Sequence, residues 1–79
     1  MLRRMGTNRK VTHTRRILAA NLLRFREGLE MSQEAFAEKL GFQRTYISSV
    51  ERCQRNVSVD NLDKIARALK IKASALLEE

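Results

Sequence analysis

Apolar residues first recur at helical spacing near the start of the chain. Leu18, Leu22, Phe25 and Leu29 stand at i, i+4, i+7 and i+11, and charged residues lie on the other faces. This spacing is typical of an amphipathic helix whose apolar face packs on the core. A first helix with these four residues turned inward is therefore predicted.

Residues 32–51, SQEAFAEKLGFQRTYISSVE, contain two shorter patterns separated by a glycine. Phe36 and Leu40 lie on the apolar side of the first pattern, and Ile47 and Val50 lie three residues apart in the second. The other positions of the second pattern are polar and carry almost no acid. Two short helices joined by a tight turn are predicted, and the second presents hydrogen-bonding groups that suit base edges in a major groove.

A fourth helix is predicted where Leu62, Ile65, Ala66 and Leu69 stand at i, i+3, i+4 and i+7. Residues 73–79 can add a last helical turn or two.

Residues suited to helix ends flank these patterns. Either Thr12 or Thr14 precedes the first helix, and Ser32 and Ser58 precede the second and fourth. A hydroxyl at such a position accepts a hydrogen bond from an otherwise unpaired backbone amide. Gly41 is expected to supply the left-handed or close-packed backbone that ends the second helix.

Composition restricts the classes of protein to which the chain can belong. Its 79 residues make one domain, and the lack of proline favours a mostly helical fold. The single Cys53 cannot form an internal disulfide, and one cysteine with one histidine cannot build a metal site. No apolar run approaches the roughly 18 residues of a membrane span, and the short Ile17–Leu23 segment does not suit a secretory signal. We expect a cytoplasmic protein without metal or cofactor.

An enzyme is not expected, because the sequence offers no catalytic constellation. No pair among His13, Ser48, Ser49 and Cys53 has a base and an orienting group nearby in sequence. A small helical domain also offers little room for a substrate cavity.

The net charge of +7 is concentrated at the N-terminus. Residues 1–16 hold six Lys and Arg residues and no acid, whereas the rest of the chain holds ten basic and nine acidic residues. A solvated basic tail is one interpretation, and an arm that contacts phosphates or the minor groove of DNA is the other. Both interpretations stay open.

The run SQEAFAEKLGFQRTYISSVER resembles the helix-turn-helix of Cro/C1-type (Xre-like) transcriptional regulators. It carries the SQE-x-hydrophobic-A, LG and YIS-x-hydrophobic-E elements of that family, and the resemblance covers Leu18 to Leu77. The resemblance implies an all-α, compact, five-helix, lambda-repressor-like DNA-binding domain over residues 14–79. A flexible basic arm over residues 1–13 would precede it.

Two positions depart from the family pattern. Glu30 stands where the family usually has glycine after the first helix, and Cys53 stands where it often has glycine after the third. A residue with a Cβ costs roughly 1–2 kcal/mol in a left-handed cap. We therefore expect the third helix to run on past Cys53 or to end in a different turn.

The resemblance and the side-chain chemistry together predict two sets of DNA contacts. Arginine can bridge the O6 and N7 of guanine, and threonine offers a hydroxyl and a methyl group to thymine. The predicted base contacts are Arg44, Thr45, Ser48 and Ser49. The predicted contacts to the DNA backbone are Gln33, Gln43, Tyr46, Arg52, Arg55 and Asn56. For Tyr46, packing of the ring is the alternative, and for the basic loop at residues 52–56 a solubilising turn is the alternative.

The resemblance also implies a structural ion pair between Arg26 and Glu51. In the family, residues at these positions often join the first and third helices, and removal of one partner of a desolvated pair is costly. The alternative is two solvated surface charges, which would be worth about 0–1 kcal/mol.

The leading hypothesis is a sequence-specific transcriptional regulator, such as a repressor, that binds double-stranded DNA as a homodimer on an inverted repeat. The alternative is an antitoxin or a restriction–modification controller protein whose role includes binding a partner protein. Leu76 and Leu77 can complete the core or cover a partner subunit, and we expect at least one of them in the core.

Overall fold

The computed structural model describes residues 11–79, and all regular structure within them is helical. A short 3-10 helix, Ala73–Leu77, follows four α-helices: α1 (His13–Gly28), α2 (Gln33–Leu40), α3 (Arg44–Glu51) and α4 (Val59–Leu69). The predicted all-α fold is confirmed, and the fifth predicted helix is this five-residue 3-10 helix. Most of the predicted basic arm, residues 1–10, lies outside the described residues.

Three helices begin with the same hydrogen bond. The hydroxyls of Thr12, Ser32 and Ser58 each accept from the backbone amide three residues later, at 3.1, 3.1 and 3.0 Å. Thr12, and not Thr14, is thus the cap of α1. The helix consequently includes His13, the last residue assigned to the arm.

All four α-helices end in a Schellman motif, although glycine supplies the left-handed residue in only one of them. That residue is Gly41 after α2, with φ of 82°, and its non-glycine counterparts are Glu30, Cys53 and Lys70, with φ of 57–61°. After α3, the amide of Cys53 donates to the Val50 carbonyl at 3.0 Å and that of Gln54 donates to the Ser49 carbonyl at 2.8 Å. These two bonds define the motif.

The expectation that α3 would run past Cys53 or turn differently is therefore wrong. The helix ends at Glu51, and Cys53 itself takes the left-handed conformation. The two hydrogen bonds of the motif satisfy carbonyls at the helix end and offset the strain that the Cβ introduces.

The core contains side chains from every helix. Its fully buried large members are Leu22, Phe36, Leu40, Ile47, Ile65 and Leu76. The 3-10 helix packs against α1 and α4, where the buried amide of Asn21 donates to the Leu76 carbonyl at 2.8 Å and to the Glu78 carbonyl at 2.9 Å. Leu76 thus completes the core, while Leu77 remains 36% exposed.

Leu29 does not join the inward face predicted for α1. The helix ends at Gly28, so Leu29 lies in the turn that follows and is 47% exposed. Among residues 11–79, no helix combines the length and apolar character needed to cross a lipid bilayer.

Candidate nucleic-acid interface

The outer surface of α3 is held in place by a buried contact with α2. Phe36 and Leu40 of α2 and Ile47 and Val50 of α3 are each no more than 2% exposed. Because one side of α3 is fixed in this way, its opposite side is presented to solvent on a rigid support.

Three exposed polar side chains lie at the start of α3. Arg44 and Thr45 open the helix, and Gln43 precedes it as the capping residue without a side-chain capping bond. A guanidinium, a hydroxyl and an amide are groups that read base edges or bind phosphates. The structure therefore places these three predicted contacts together.

The two serines of α3 differ in accessibility. Ser48 is 7% exposed, and its Oγ accepts a hydrogen bond from the Arg52 guanidinium. Its predicted role as a base contact conflicts with this burial, which follows from the packing of this face of α3 on the core. Ser49 is half-buried, and its Oγ donates to the Tyr46 carbonyl at 2.8 Å.

Tyr46 packs through its ring and hydrogen bonds through its hydroxyl. The ring stacks on Phe42, with centroids 4.6 Å apart and planes 13° apart, and the Arg55 guanidinium carbon lies 4.9 Å from the Tyr46 centroid. The Tyr46 hydroxyl accepts from Asn61 Nδ2 at 3.0 Å. Arg55 Nε also reaches Ser49 Oγ at 3.3 Å. Arg55 is thus ordered against α3.

The loop after α3 continues this surface. Arg52, Arg55 and Asn56 are exposed, and the guanidinium of Arg52 donates to Gln54 Oε1 at 3.1 and 3.2 Å. The polar residues of α3 and the positive loop therefore form one surface, here called the α3 polar surface: Gln43, Arg44, Thr45, Tyr46, Ser49, Arg52, Arg55 and Asn56.

Glu51 does not add negative charge to this surface, because Arg26 neutralises it. Arg26 Nε donates to Glu51 Oε2 at 2.7 Å and a terminal nitrogen of Arg26 donates to Oε1 at 3.2 Å. Gln33 Nε2 donates to Glu51 Oε1 at 2.9 Å. The hydrogen bonds that Arg26 donates to the Glu51 carboxylate raise the pKa of Arg26 above its usual value. The structure thus brings Arg26 and Glu51 together and directs one Gln33 donor into the protein.

Three residues behind the α3 polar surface were not predicted from the sequence. Phe42, Asn61 and Lys64 contact the turn or α3 without belonging to the predicted site. Helical spacing could have placed Asn61 and Lys64 on the same face of α4, but it does not indicate which part of the protein that face packs against.

Comparisons with known proteins match the helix-turn-helix that the geometry shows. A family model described as helix-turn-helix (HTH_3) matches residues 22–76. A hypothetical transcription factor from Neisseria meningitidis serogroup B is 43% identical over 63 residues, which are 80% of this chain and 59% of that protein. Control protein C.BamHI from Bacillus amyloliquefaciens is 50% identical over 48 residues, 61% of this chain and 59% of that protein. The chain thus spans about three-fifths of each relative.

Solved structures share both the fold and the sequence pattern. The crystal structure of the Neisseria factor has a TM-score of 0.78 at 37% identity and covers 87% of this chain and 90% of that chain. The restriction–modification controller protein C.AhdI from Aeromonas hydrophila has a TM-score of 0.72 at 39% identity, covering 78% and 94%. The C.Esp1396I controller tetramer, in complex with its natural 35 base-pair operator, has a TM-score of 0.73 at 28% identity, covering 82% and 86%.

The family model covers more than half of the chain, and the matching region contains α2, α3 and the turn between them. The matching proteins are described as transcription factors, transcriptional regulators and controller proteins. This chain belongs to the Cro/C1-type helix-turn-helix family of DNA-binding transcriptional regulators.

Proposed function

We propose that the protein is a cytoplasmic, sequence-specific transcriptional regulator that binds an inverted-repeat operator as a homodimer. The observation that carries the proposal is the pair Arg44 and Thr45, exposed at the first turn of a helix whose other side is buried. The N-terminal residues of a recognition helix are the ones that meet base edges in this type of motif.

Within this proposal, Arg44, Thr45 and Ser49 contact bases. Arg44 is suited to guanine, and Thr45 to a thymine methyl group or a hydrogen-bonding edge. Ser49 is short and half-buried, so its contact is mediated by water. Ser48 is left out because it is buried.

The remaining site residues bind the DNA backbone. Their donors lie on both sides of the proposed reading helix and would fix its register without reading sequence. The proposed residues are Gln33, Gln43, Tyr46, Arg52, Arg55 and Asn56. Gln33 keeps a second amide hydrogen for this role beside the one that it donates to Glu51. The basic arm, residues 1–13, is a further proposed contact, and most of it lies outside the described residues.

A groove near the 3-10 helix supports dimerisation. Its apolar lining comes from Leu18, Val57, Leu62 and the exposed Leu77, and its polar lining comes from Thr12, Thr14, Arg15 and Asn56. A second copy packed there would bury apolar surface that the monomer leaves in contact with water. The operator-bound tetramer of C.Esp1396I shows that a protein of this fold assembles on DNA.

The more specific role favoured by the comparisons is that of a restriction–modification controller. C.AhdI, at 39% identity, is described as a restriction–modification controller protein, and C.BamHI, at 50% identity, is described as a control protein. Between the two partner-dependent alternatives, these names favour a controller over an antitoxin.

Selection of bound duplexes from a random pool tests the proposed function. The expected product is an inverted repeat whose half-sites are about 34 Å apart, one helical turn of DNA. Recovery of duplexes without any shared sequence would contradict sequence-specific binding, and recovery of a single unrepeated half-site would contradict the dimer.

A further inference from the structure

Two side chains of α4 hold the turn and α3 from behind. Asn61 and Lys64 are three residues apart and therefore lie on the same face of the helix. Asn61 Nδ2 donates to the Tyr46 hydroxyl at 3.0 Å, and Lys64 Nζ donates to the Gly41 carbonyl at 2.8 Å. We call these two residues the α4 clamp.

Three observations indicate that the Lys64 side chain has a defined position against the turn between α2 and α3. Its Nζ lies 4.4 Å from the centre of the Phe42 ring, in addition to its bond to Gly41. A Cβ placed on Gly41 would lie 3.0 Å from Lys64 Cε, so the glycine makes room for the lysine stem. The carbonyls at the end of α2 also carry the negative end of that helix dipole, which favours a cation there. The lysine therefore fixes the turn.

The clamp connects to Arg55 through two aromatic rings. Phe42, under Lys64, stacks on Tyr46, and Arg55 lies over the Tyr46 ring. Lys64 holds the first ring, and Asn61 holds the hydroxyl of the second. The platform that orders the Arg55 guanidinium is thus fixed at two points by a helix outside the helix-turn-helix.

We propose that Asn61 and Lys64 are positioning residues that preset Arg55 for the DNA backbone without touching DNA themselves. This inference rests on the proposed function, in which Arg55 binds phosphate. An arginine side chain that moves freely in the unbound protein loses rotamer freedom when it binds DNA, and this loss of entropy weakens the complex. The ordered platform removes that loss from the binding step, because folding has already placed the side chain.

The test measures DNA affinity for three variants that should all remain folded. Lys64→Met keeps the stem but removes the charge and the donor, and Asn61→Ala removes the bond to Tyr46. Arg67→Met is the control, because it removes an equal charge from the same helix at a side chain whose one charged partner among residues 11–79 is Asp63. We expect the two clamp variants to bind every duplex about two- to tenfold more weakly than the control, with an unchanged salt slope.

A spectroscopic readout follows the platform itself. Tyr46 is the one tyrosine of the sequence, which contains no tryptophan, so near-ultraviolet circular dichroism reports on its surroundings. Loosening of the platform should reduce this signal in Lys64→Met and Asn61→Ala and leave it unchanged in Arg67→Met.

Combination with Arg55→Ala separates positioning from direct contact. If the clamp acts through Arg55, Lys64→Met should cause no further loss of affinity in the Arg55→Ala background. A loss that persists there, with the salt slope lowered by about one, would show that Lys64 binds phosphate itself and would overturn the inference. So would clamp variants that bind as the control does. Failure of the unaltered protein to prefer any duplex would instead refute the proposed function.

Discussion

Arg26 Nε lies 2.7 Å from Glu51 Oε2, and this contact ties the end of α1 to the end of α3. The side chains of Arg26 and Glu51 are 18% and 6% exposed. Gln33 brings α2 to the same carboxylate, and another nitrogen of Arg26 donates to the Met31 carbonyl at 3.0 Å. One acidic group therefore holds three helices at fixed angles, including the proposed reading helix.

Replacement of Glu51 by glutamine should lower the free energy of unfolding by about 2–3 kcal/mol. The substitution keeps the shape of the side chain but leaves the Arg26 guanidinium largely buried without a counter-charge. The midpoint of urea denaturation, at an unchanged slope, measures this loss.

The control for that substitution is Asp63→Asn. It breaks the Arg67–Asp63 pair, whose side chains are 81% and 59% exposed, and should change stability by only about 0–1 kcal/mol. Equal losses in the two variants would contradict a structural role for Glu51.

The pair with Glu51 raises the pKa of Arg26, so its contribution to the free energy of unfolding is fully present below the pKa of a free arginine. This contribution is lost only as the pH rises through the higher pKa of Arg26 in the folded protein. The Glu51→Gln deficit should therefore stay constant from neutral to mildly alkaline pH.

Cys53→Gly should be more stable than Cys53→Ala by about 1 kcal/mol. Cys53 has a φ of 61°, where a Cβ is strained, and both substitutions remove the same half-buried thiol. The difference in unfolding free energy between the two variants thus isolates the cost of a Cβ in the left-handed conformation, and thermal or urea denaturation measures it. An alanine variant as stable as the glycine variant would show that the left-handed turn is not strained.

Leu77→Ser should raise the dissociation constant of the proposed dimer about tenfold. Leu77 is 36% exposed and lines the groove near the 3-10 helix, whereas its neighbour Leu76 is buried in the core. Sedimentation equilibrium gives the constant. Leu29→Ser, at an exposed leucine in the turn after α1, is the control and should leave it unchanged. A larger effect from Leu29 would place the dimer interface elsewhere.

Residues whose behaviour depends on near neighbours were predictable from the sequence. Ser32, Ser58 and Gly41 act at helix ends as expected, because each depends on hydrogen bonds or backbone angles within a few residues. Glu30 and Cys53 take left-handed angles despite their Cβ atoms, because the path of the chain between packed helices determines the turn.

Contacts between residues far apart in the chain could not be predicted from the local pattern of apolar and polar residues. The burial of Ser48 depends on how α3 lies against the core, which the spacing of Ile47 and Val50 only roughly indicates. The hydrogen bond from Lys64 to Gly41 joins residues that are 23 positions apart in the sequence. The apolar pattern of α4 predicts which of its residues face the core, but it does not predict which residues its polar side chains contact. The pairing of Arg26 with Glu51 was expected from family resemblance and not from spacing.

The central claim is that α3 reads bases while the loop after it anchors the protein. Its most direct test is to titrate Arg44→Ala and Arg55→Ala with the selected operator and its single-base variants over a range of salt concentrations. Arg44→Ala should cost about 1–3 kcal/mol and erase the preference at one position of each half-site, whereas Arg55→Ala should weaken all sequences equally and lower the salt slope by about one. Uniform losses and equal slopes in both variants would contradict the account.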